Sequence, residues 1–263
     1  GSGFDVVSGN ELLRCLEAGA DTENIVFSGV AKTEEEISLA IQNNIFSINI
    51  ESEEELERII KVAKNLKRKA ECIIRINPDI TPKSHPYIQT GLRTSKFGVL
   101  KDKVDSLAKR ASDSGSVKIK GLACHIGSQI FDEKLILETL DFLIKICTRL
   151  NNKEQNLKYI DLGGGLGISY DQEEEIEINK LLDKCIALLK PLNLNLILEP
   201  GRSISGNAGV LISKIEYLKK TSELNFAIID AGMNDLLRPS LYQAWHNISV
   251  VENNNDEKQN YKI

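Results

Sequence analysis

The chain has 263 residues, a formal net charge of −5, 41% apolar residues and 27% charged residues. These values suit one large α/β domain, or one domain with part of another, and exclude a disordered, collagen-like or cysteine-stapled chain. The mildly acidic balance argues against a broad nucleic-acid surface, no apolar run reaches the roughly 18 residues of a membrane span, and residues 1–10 lack the basic region and apolar core of a signal peptide. Five cysteines (Cys15, Cys72, Cys124, Cys147, Cys185) are odd in number and include no CxxC pair. That usage points to reduced thiols in a cytoplasmic protein.

In chain order, short apolar runs alternate with helical patterns. The runs fall at 3–8, 25–29, 46–50, 72–77, 119–127, 159–165 and 194–201. Most are apolar throughout rather than alternating, as in strands buried on both faces of a parallel sheet. The first helix signals are Thr33-Glu34-Glu35-Glu36 and Ser52-Glu53-Glu54-Glu55, both read as capping boxes, in which the hydroxyl takes an amide and the third glutamate reaches back. Leu56, Ile59, Ile60 and Ala63 keep helical spacing. Later helices are expected at 101–114, 132–150 and 174–190, the last stopped by Pro191.

Seven strand–helix units are one short of a (β/α)8 TIM-type barrel. The expectation is α/β: a barrel over 1–208 lacking its first strand unit, then the start of an antiparallel β domain over 209–263. In that second part, 210–217 and 226–230 read as strands joined by a short loop, and the tail from Glu252 reads as exposed.

Barrel chemistry sits at the carboxyl ends of the strands. Those ends carry Arg75 and Asn77, then His125, Gly127 and Ser128, then Asp161 with Gly163, Gly164 and Gly165, then Glu199, Pro200, Gly201 and Arg202. Consecutive glycines let backbone amides approach an anion, and Gly201-Arg202 adds a second turn with a cation, a pattern suited to phosphate. His125 is one of three histidines, and no second ligand lies at metal spacing. Its ring can lie over an aromatic cofactor. Glu199 ends a strongly apolar run and needs a cationic or protonated partner, either Arg202 or a ring nitrogen.

The segments GFDVVSGNEL, RINPDITPKSHPYIQTGLRTSKFG, ACHIGSQI, DLGGGLGISY, EPGRSI and DAGMNDLLRPSLYQAWH together resemble the diaminopimelate decarboxylase family, within the alanine-racemase-like, fold type III pyridoxal phosphate enzymes. The resemblance spans residues 3–246. It implies pyridoxal 5′-phosphate as cofactor, with His125 stacked on its ring and Glu199 paired with the pyridine nitrogen as the catalytic pair. It further implies Arg75 near the phenolic side, and Ser128, Gly163, Gly164, Gly165, Pro200, Gly201 and Arg202 around the phosphate. Arg202, Arg238 and Tyr242 would hold the distal end of meso-diaminopimelate, which is decarboxylated to L-lysine. A cytoplasmic homodimer with shared sites is implied as well.

Three features that the resemblance implies are missing from this sequence: the Schiff-base lysine of the first barrel strand, the Cys-Glu-Ser segment that enters the partner subunit's site, and a later tyrosine that contacts the phosphate. Lys96 in TSKFG belongs to a different loop. The expectation is a chain truncated at both ends and inactive by itself. The alternatives are a sister decarboxylase acting on arginine or carboxynorspermidine, a non-catalytic relative that keeps the fold, and a phosphate-sugar barrel. The last leaves His125 and Glu199 without a role.

Overall fold

Parallel strands organise the first two hundred residues, as the unbroken apolar runs require. The structure is a computed structural model and describes residues 2–78, 96–170, 172–251 and 259–263. The polar segment 252–258, His85 and most of the RINPDITPKSHPYIQTGLRTSKFG segment lie outside the described residues.

The strands are β1 (Phe4–Val6), β2 (Ile25–Phe27), β3 (Ser47–Ile50), β4 (Ala70–Asn77), β5 (Val99–Leu100), β6 (Val117–Ala123), β7 (Tyr159–Asp161) and β8 (Asn195–Ile197). They form one sheet in the order β1-β2-β3-β4-β6-β7-β8, with the two-residue β5 paired to β4 off the main path. Every pairing is parallel. Asp5 on β1 and Glu199 just past β8 line one cavity although their strands lie at opposite edges of the sheet. The sheet therefore curls, and the unit is a partial (β/α) barrel.

Helices α1 (Gly9–Glu17), α2 (Glu34–Gln42), α3 (Glu53–Leu66), α4 (Val104–Asp113), α5 (Glu133–Asn151) and α6 (Ile178–Leu189) connect the strands. On α3 the spaced residues Leu56, Ile59, Ile60 and Ala63 are buried, and the three large side chains contribute roughly 1.5–3 kcal/mol each. Thr33 forms the full capping box at α2. Ser52 does not. Its hydroxyl takes the amide of Glu55, but the Glu55 carboxylate turns to the amide of Glu51 at 2.7 Å and to Lys32 Nζ at 2.9 Å. A buried ammonium needs a counter-charge more than an exposed cap needs a second bond.

A second unit comprises residues 168–175 and 204–263. Its hairpin pairs β9 (Ile215–Lys220) with β10 (Asn225–Ile229) in antiparallel register, Asn225 opposite Lys220. The strands sit a few residues from the expected 210–217 and 226–230, because Thr221 bonds back to Leu224 and closes the turn there. A five-residue helix, α8 (Arg238–Tyr242), follows. The short α7 (Arg202–Ser205) follows Gly201. Neither short helix, nor β5, carries a periodic signal long enough to read from sequence.

Candidate active site

Strand ends from β1 to β8 converge on a cavity of about 250 Å³, lined by Asp5, Val7, Ser28, Gly29, Asn49, Arg75, Phe97, Ala123, Cys124, His125, Asp161, Gly163 and Glu199. Four expected site residues meet here: Arg75, His125, Gly163 and Glu199. Asp161, which the sequence puts at a strand end without giving it a role, is here too, and Asp5 and Asn49 join them without having been expected. Ser128, Gly164, Gly165, Pro200, Gly201 and Arg202 are not among its lining residues.

Arg75 is held on two sides. Its guanidinium pairs with Glu51 at 2.8 Å and lies 4.8 Å from the centre of the Phe97 ring. The other Glu51 oxygen takes the amide of Gly98 at 2.8 Å. Glu51 is in turn fixed through its own amide by Glu55, which Lys32 neutralises. Lys32 spends its remaining donors on the carbonyls of Gly29 and Asn49, at 2.6 and 2.7 Å. Four buried or nearly buried charges thus link the ends of β2, β3 and β4.

His125 follows β6, and its Nδ1 accepts the amide of Gly164 at 3.1 Å. An accepting Nδ1 carries no proton, so the neutral ring holds its hydrogen on Nε2. Burial, helped by the positive charge of Arg75, pushes its pKa down to about 4. The expected result is a neutral, Nε2-protonated imidazole throughout the physiological range. Imidazole nitrogen NMR shifts checks this, and titration near the ordinary histidine value of about 6.5 would contradict it.

The glycines after β7 have reasons internal to the protein. A Cβ on Gly163, whose φ is +65°, would stand 2.6 Å from His125 Nδ1, and one on Gly165 would stand 2.0 Å from the carbonyl oxygen of Gly127. The Gly163 amide donates to Asp161 at 2.8 Å and that of Gly164 to His125. These two amides face protein acceptors, not open space as a phosphate cradle requires. The loops after β6 and β7 are tied together by the Ile130 and Gly167 amides. At Gly201 nothing lies within 4 Å of the Cβ position.

The acids decide the chemistry. Asp161 Oδ2 and Glu199 Oε1 are buried and receive no hydrogen bond from a donor group, and neither does Asn49 Oδ1. Burial, with Asp161 and Asp5 as like charges, drives the Glu199 carboxyl far above its usual range. Asp161 and Asp5 are also raised, each chiefly by burial. Bare acceptors in an acidic pocket fit a ring that presents an N–H cation. The lining residues therefore fit a protonated aromatic ring such as that of pyridoxal, with bare carboxyl oxygens, a neutral imidazole and the Arg75 cation in one cavity.

Residues 1–206 match the family described as pyridoxal-dependent decarboxylase, pyridoxal binding domain. The chain belongs to that family. It is similar to the diaminopimelate decarboxylase of Vibrio cholerae, at 46% identity over 267 residues covering 100% of this chain and 63% of that protein. The Pseudomonas aeruginosa diaminopimelate decarboxylase is 42% identical, again over 100% of this chain and 63% of the relative. Among solved structures, the Helicobacter pylori diaminopimelate decarboxylase complexed with L-lysine superposes with a TM-score of 0.93 at 42% identity, over 97% of this chain and 64% of that one. The chain thus spans about 63% of the length of the curated relatives it matches. A viral arginine decarboxylase, from Paramecium bursaria Chlorella virus, shares the fold with a TM-score of 0.79 at 19% identity.

The second unit holds two further expected residues. Arg238 and Tyr242 sit one helical turn apart on α8. The Arg238 guanidinium lies 4.6 Å from the centre of the Tyr170 ring and 3.4 Å from His246 Nε2. Arg202 opens α7 in the barrel unit. Asp5 had a legible signal: a charge inside the apolar run GFDVV needs a buried partner. Glu51 and Lys32 had none, since both border acidic stretches that read as helix starts.

Proposed function

We propose that the full-length protein decarboxylates meso-diaminopimelate to L-lysine with pyridoxal phosphate. One observation carries the reading: the paired, donor-less oxygens of Asp161 and Glu199, facing a cavity beside a neutral His125. The names of the similar proteins support the substrate. When bound, pyridoxal phosphate supplies the electron sink for loss of CO2 from an α-amino acid. Glu199 holds a proton at the nitrogen end of the ring. His125 offers a neutral imidazole that neither repels that proton nor competes for it. Arg75, fixed by Glu51, places a cation near the phenolic side. Ser128, Gly165, Gly201 and Arg202, with Gly163, Gly164 and Pro200 shaping the loops, form the phosphate side. Arg202, Arg238 and Tyr242 bind the distal amino-acid head of the substrate, where an arginine fork gives a carboxylate two parallel hydrogen bonds. No helix among the described residues is long and apolar enough to cross a membrane. A cytoplasmic homodimer with shared sites belongs to the same reading, and sedimentation of the full-length protein tests it.

The test is lysine and CO2 production from meso-diaminopimelate by the full-length protein with pyridoxal phosphate. No turnover at saturating substrate would overturn the reading. Arg238→Ala is expected to leave a buried carboxylate short of a partner, at a cost of roughly 2–5 kcal/mol. That is about 30-fold or more in KM. Decarboxylation removes the reacting carboxylate and leaves the distal one on lysine, so inhibition by lysine should weaken alongside KM. Unchanged values for both would assign Arg238 to its packing on Tyr170.

A further inference from the structure

The proposed reading gives Glu199 a task but leaves Asp161 without one. Asp161 ends β7 and is fully buried. One of its oxygens takes the Gly163 amide, and the other has no donor. Strands β7 and β8 run in register with Asp161 opposite Ile197, and the Glu199 amide then bonds the Gly163 carbonyl at 2.9 Å. This backbone pairing sets the two side chains next to each other, each with a bare oxygen. Two ionised carboxyls cannot occupy such a place together, whereas one proton between them satisfies both oxygens.

We propose that Asp161 and Glu199 share one proton in the cofactor-free site and give it to the pyridine nitrogen when the ring enters. Asp161 is thus a positioning residue that acts through Glu199. In the step, the carboxyl O–H bond breaks and an N–H bond forms on the ring. The products are a pyridinium and two carboxylates, so the charge and the proton both balance. The inference rests on the reading that a pyridine ring occupies this cavity.

The charges facing the pair come from every neighbouring strand. Asp5 from β1 adds a like charge and favours keeping the proton. Arg75 from β4 opposes it, but its guanidinium is engaged by Glu51 from β3. After β6, His125 is neutral, and burial holds the Cys124 thiol protonated, with its pKa pushed up to about 12. Glu11 bears on Asp5 as a further like charge.

The experiment uses full-length protein stripped of cofactor, with pyridoxine 5′-phosphate as probe. This compound carries the ring and phosphate but no aldehyde, so no imine to lysine forms. Difference infrared spectroscopy should show a protonated-carboxyl band in the unmodified, cofactor-free protein, lost on adding the probe. Glu199→Gln should abolish the band, and so should Asp161→Asn, whose amide satisfies Glu199 without a proton. Calorimetry in buffers of different ionisation enthalpy, above the pH at which the free ring nitrogen loses its proton, supplies a count. The unmodified protein should draw almost no protons from buffer, and Asp161→Asn about one per site. Absence of the band in the unmodified protein, or equal uptake by both, would overturn the shared proton while leaving cofactor binding intact. Failure of both pyridoxal phosphate and the probe to bind would instead overturn the reading of the site, and the inference with it.

Discussion

Replacing Lys32 with methionine is expected to destabilise the protein by about 3–5 kcal/mol, the usual result of stripping one partner from a buried ion pair. Lys32 is 3% exposed and Glu55 is 8% exposed, and they meet at 2.9 Å. Methionine fills most of the same volume, so the loss is electrostatic. It leaves the Glu55 carboxylate without its counter-ion and the carbonyls of Gly29 and Asn49 without the donor they share. Burial already raises the Glu55 pKa, with Lys32 as the main opposing charge. Removing Lys32 raises it further, so the folded state binds that proton more tightly than the unfolded chain. Stability of the variant should therefore recover as pH falls toward the ordinary carboxyl range. Urea unfolding at neutral and mildly acidic pH measures both effects. The double change Lys32→Met with Glu55→Met should restore part of the loss, because an apolar pair of similar volume is often tolerated. A single-variant loss below about 1 kcal/mol would mean the pair is reached by water.

The consequence for the site is one of placement. Glu55 holds the backbone of Glu51, and Glu51 holds Arg75 and the Gly98 amide. Lys32 does not itself line the cavity, but it bonds the carbonyls of Gly29 and Asn49, which do, and through Glu55 and Glu51 it helps fix the one cationic side chain among the described lining residues.

Much of this architecture is legible in the residues, and the reason is physical. A strand buried on both faces has to be apolar throughout, so FSINI and CIIRIN announce themselves, and a barrel puts its chemistry where those runs end. His125, Arg75 and Glu199 are found that way. What stays hidden is how polar groups pair across distant segments. Thr33 and Ser52 head nearly identical acidic stretches, yet only Thr33 forms the reciprocal cap, because Lys32 lies within reach of Glu55 and draws its carboxylate away. The same blindness assigned the Gly163 and Gly164 amides to an anion. Their true acceptors, Asp161 and His125, belong to the end of their own strand and to that of the neighbouring one. The Gly163 bond is local, to a side chain two residues back, but no sequence spacing reports the pairing of Gly164 with His125. It follows from register, and register is set by the whole sheet.

Glu199→Gln should separate the chemical value of this carboxyl from its cost to the fold. The amide is nearly isosteric and keeps the loop geometry, but it cannot hold a proton at a ring nitrogen. Under the proposed chemistry, turnover should fall by roughly 10²–10³-fold, the size typical of removing one preorganised electrostatic contact. Cofactor retention should change far less, since the phosphate side is untouched. Stability of the cofactor-free protein should move the other way. The folded pKa of Glu199 lies far above the unfolded value of about 4.3. The folded state therefore binds more protons than the unfolded chain between those two values, and its stability drops as pH rises through that window. Glutamine does not titrate, and its amide gives Asp161 Oδ2 the donor it lacks. The variant should thus be more stable than the parent at alkaline pH, and the two should converge as pH falls toward the ordinary carboxyl range. Thermal unfolding of the cofactor-free full-length protein across that range, beside steady-state kinetics of the loaded form, reads both signs. A variant that loses activity and alkaline stability together would show that Glu199 is held ionised by a cation. The buried carboxyl pair would then be a salt bridge to the protein itself rather than a seat for a protonated ring.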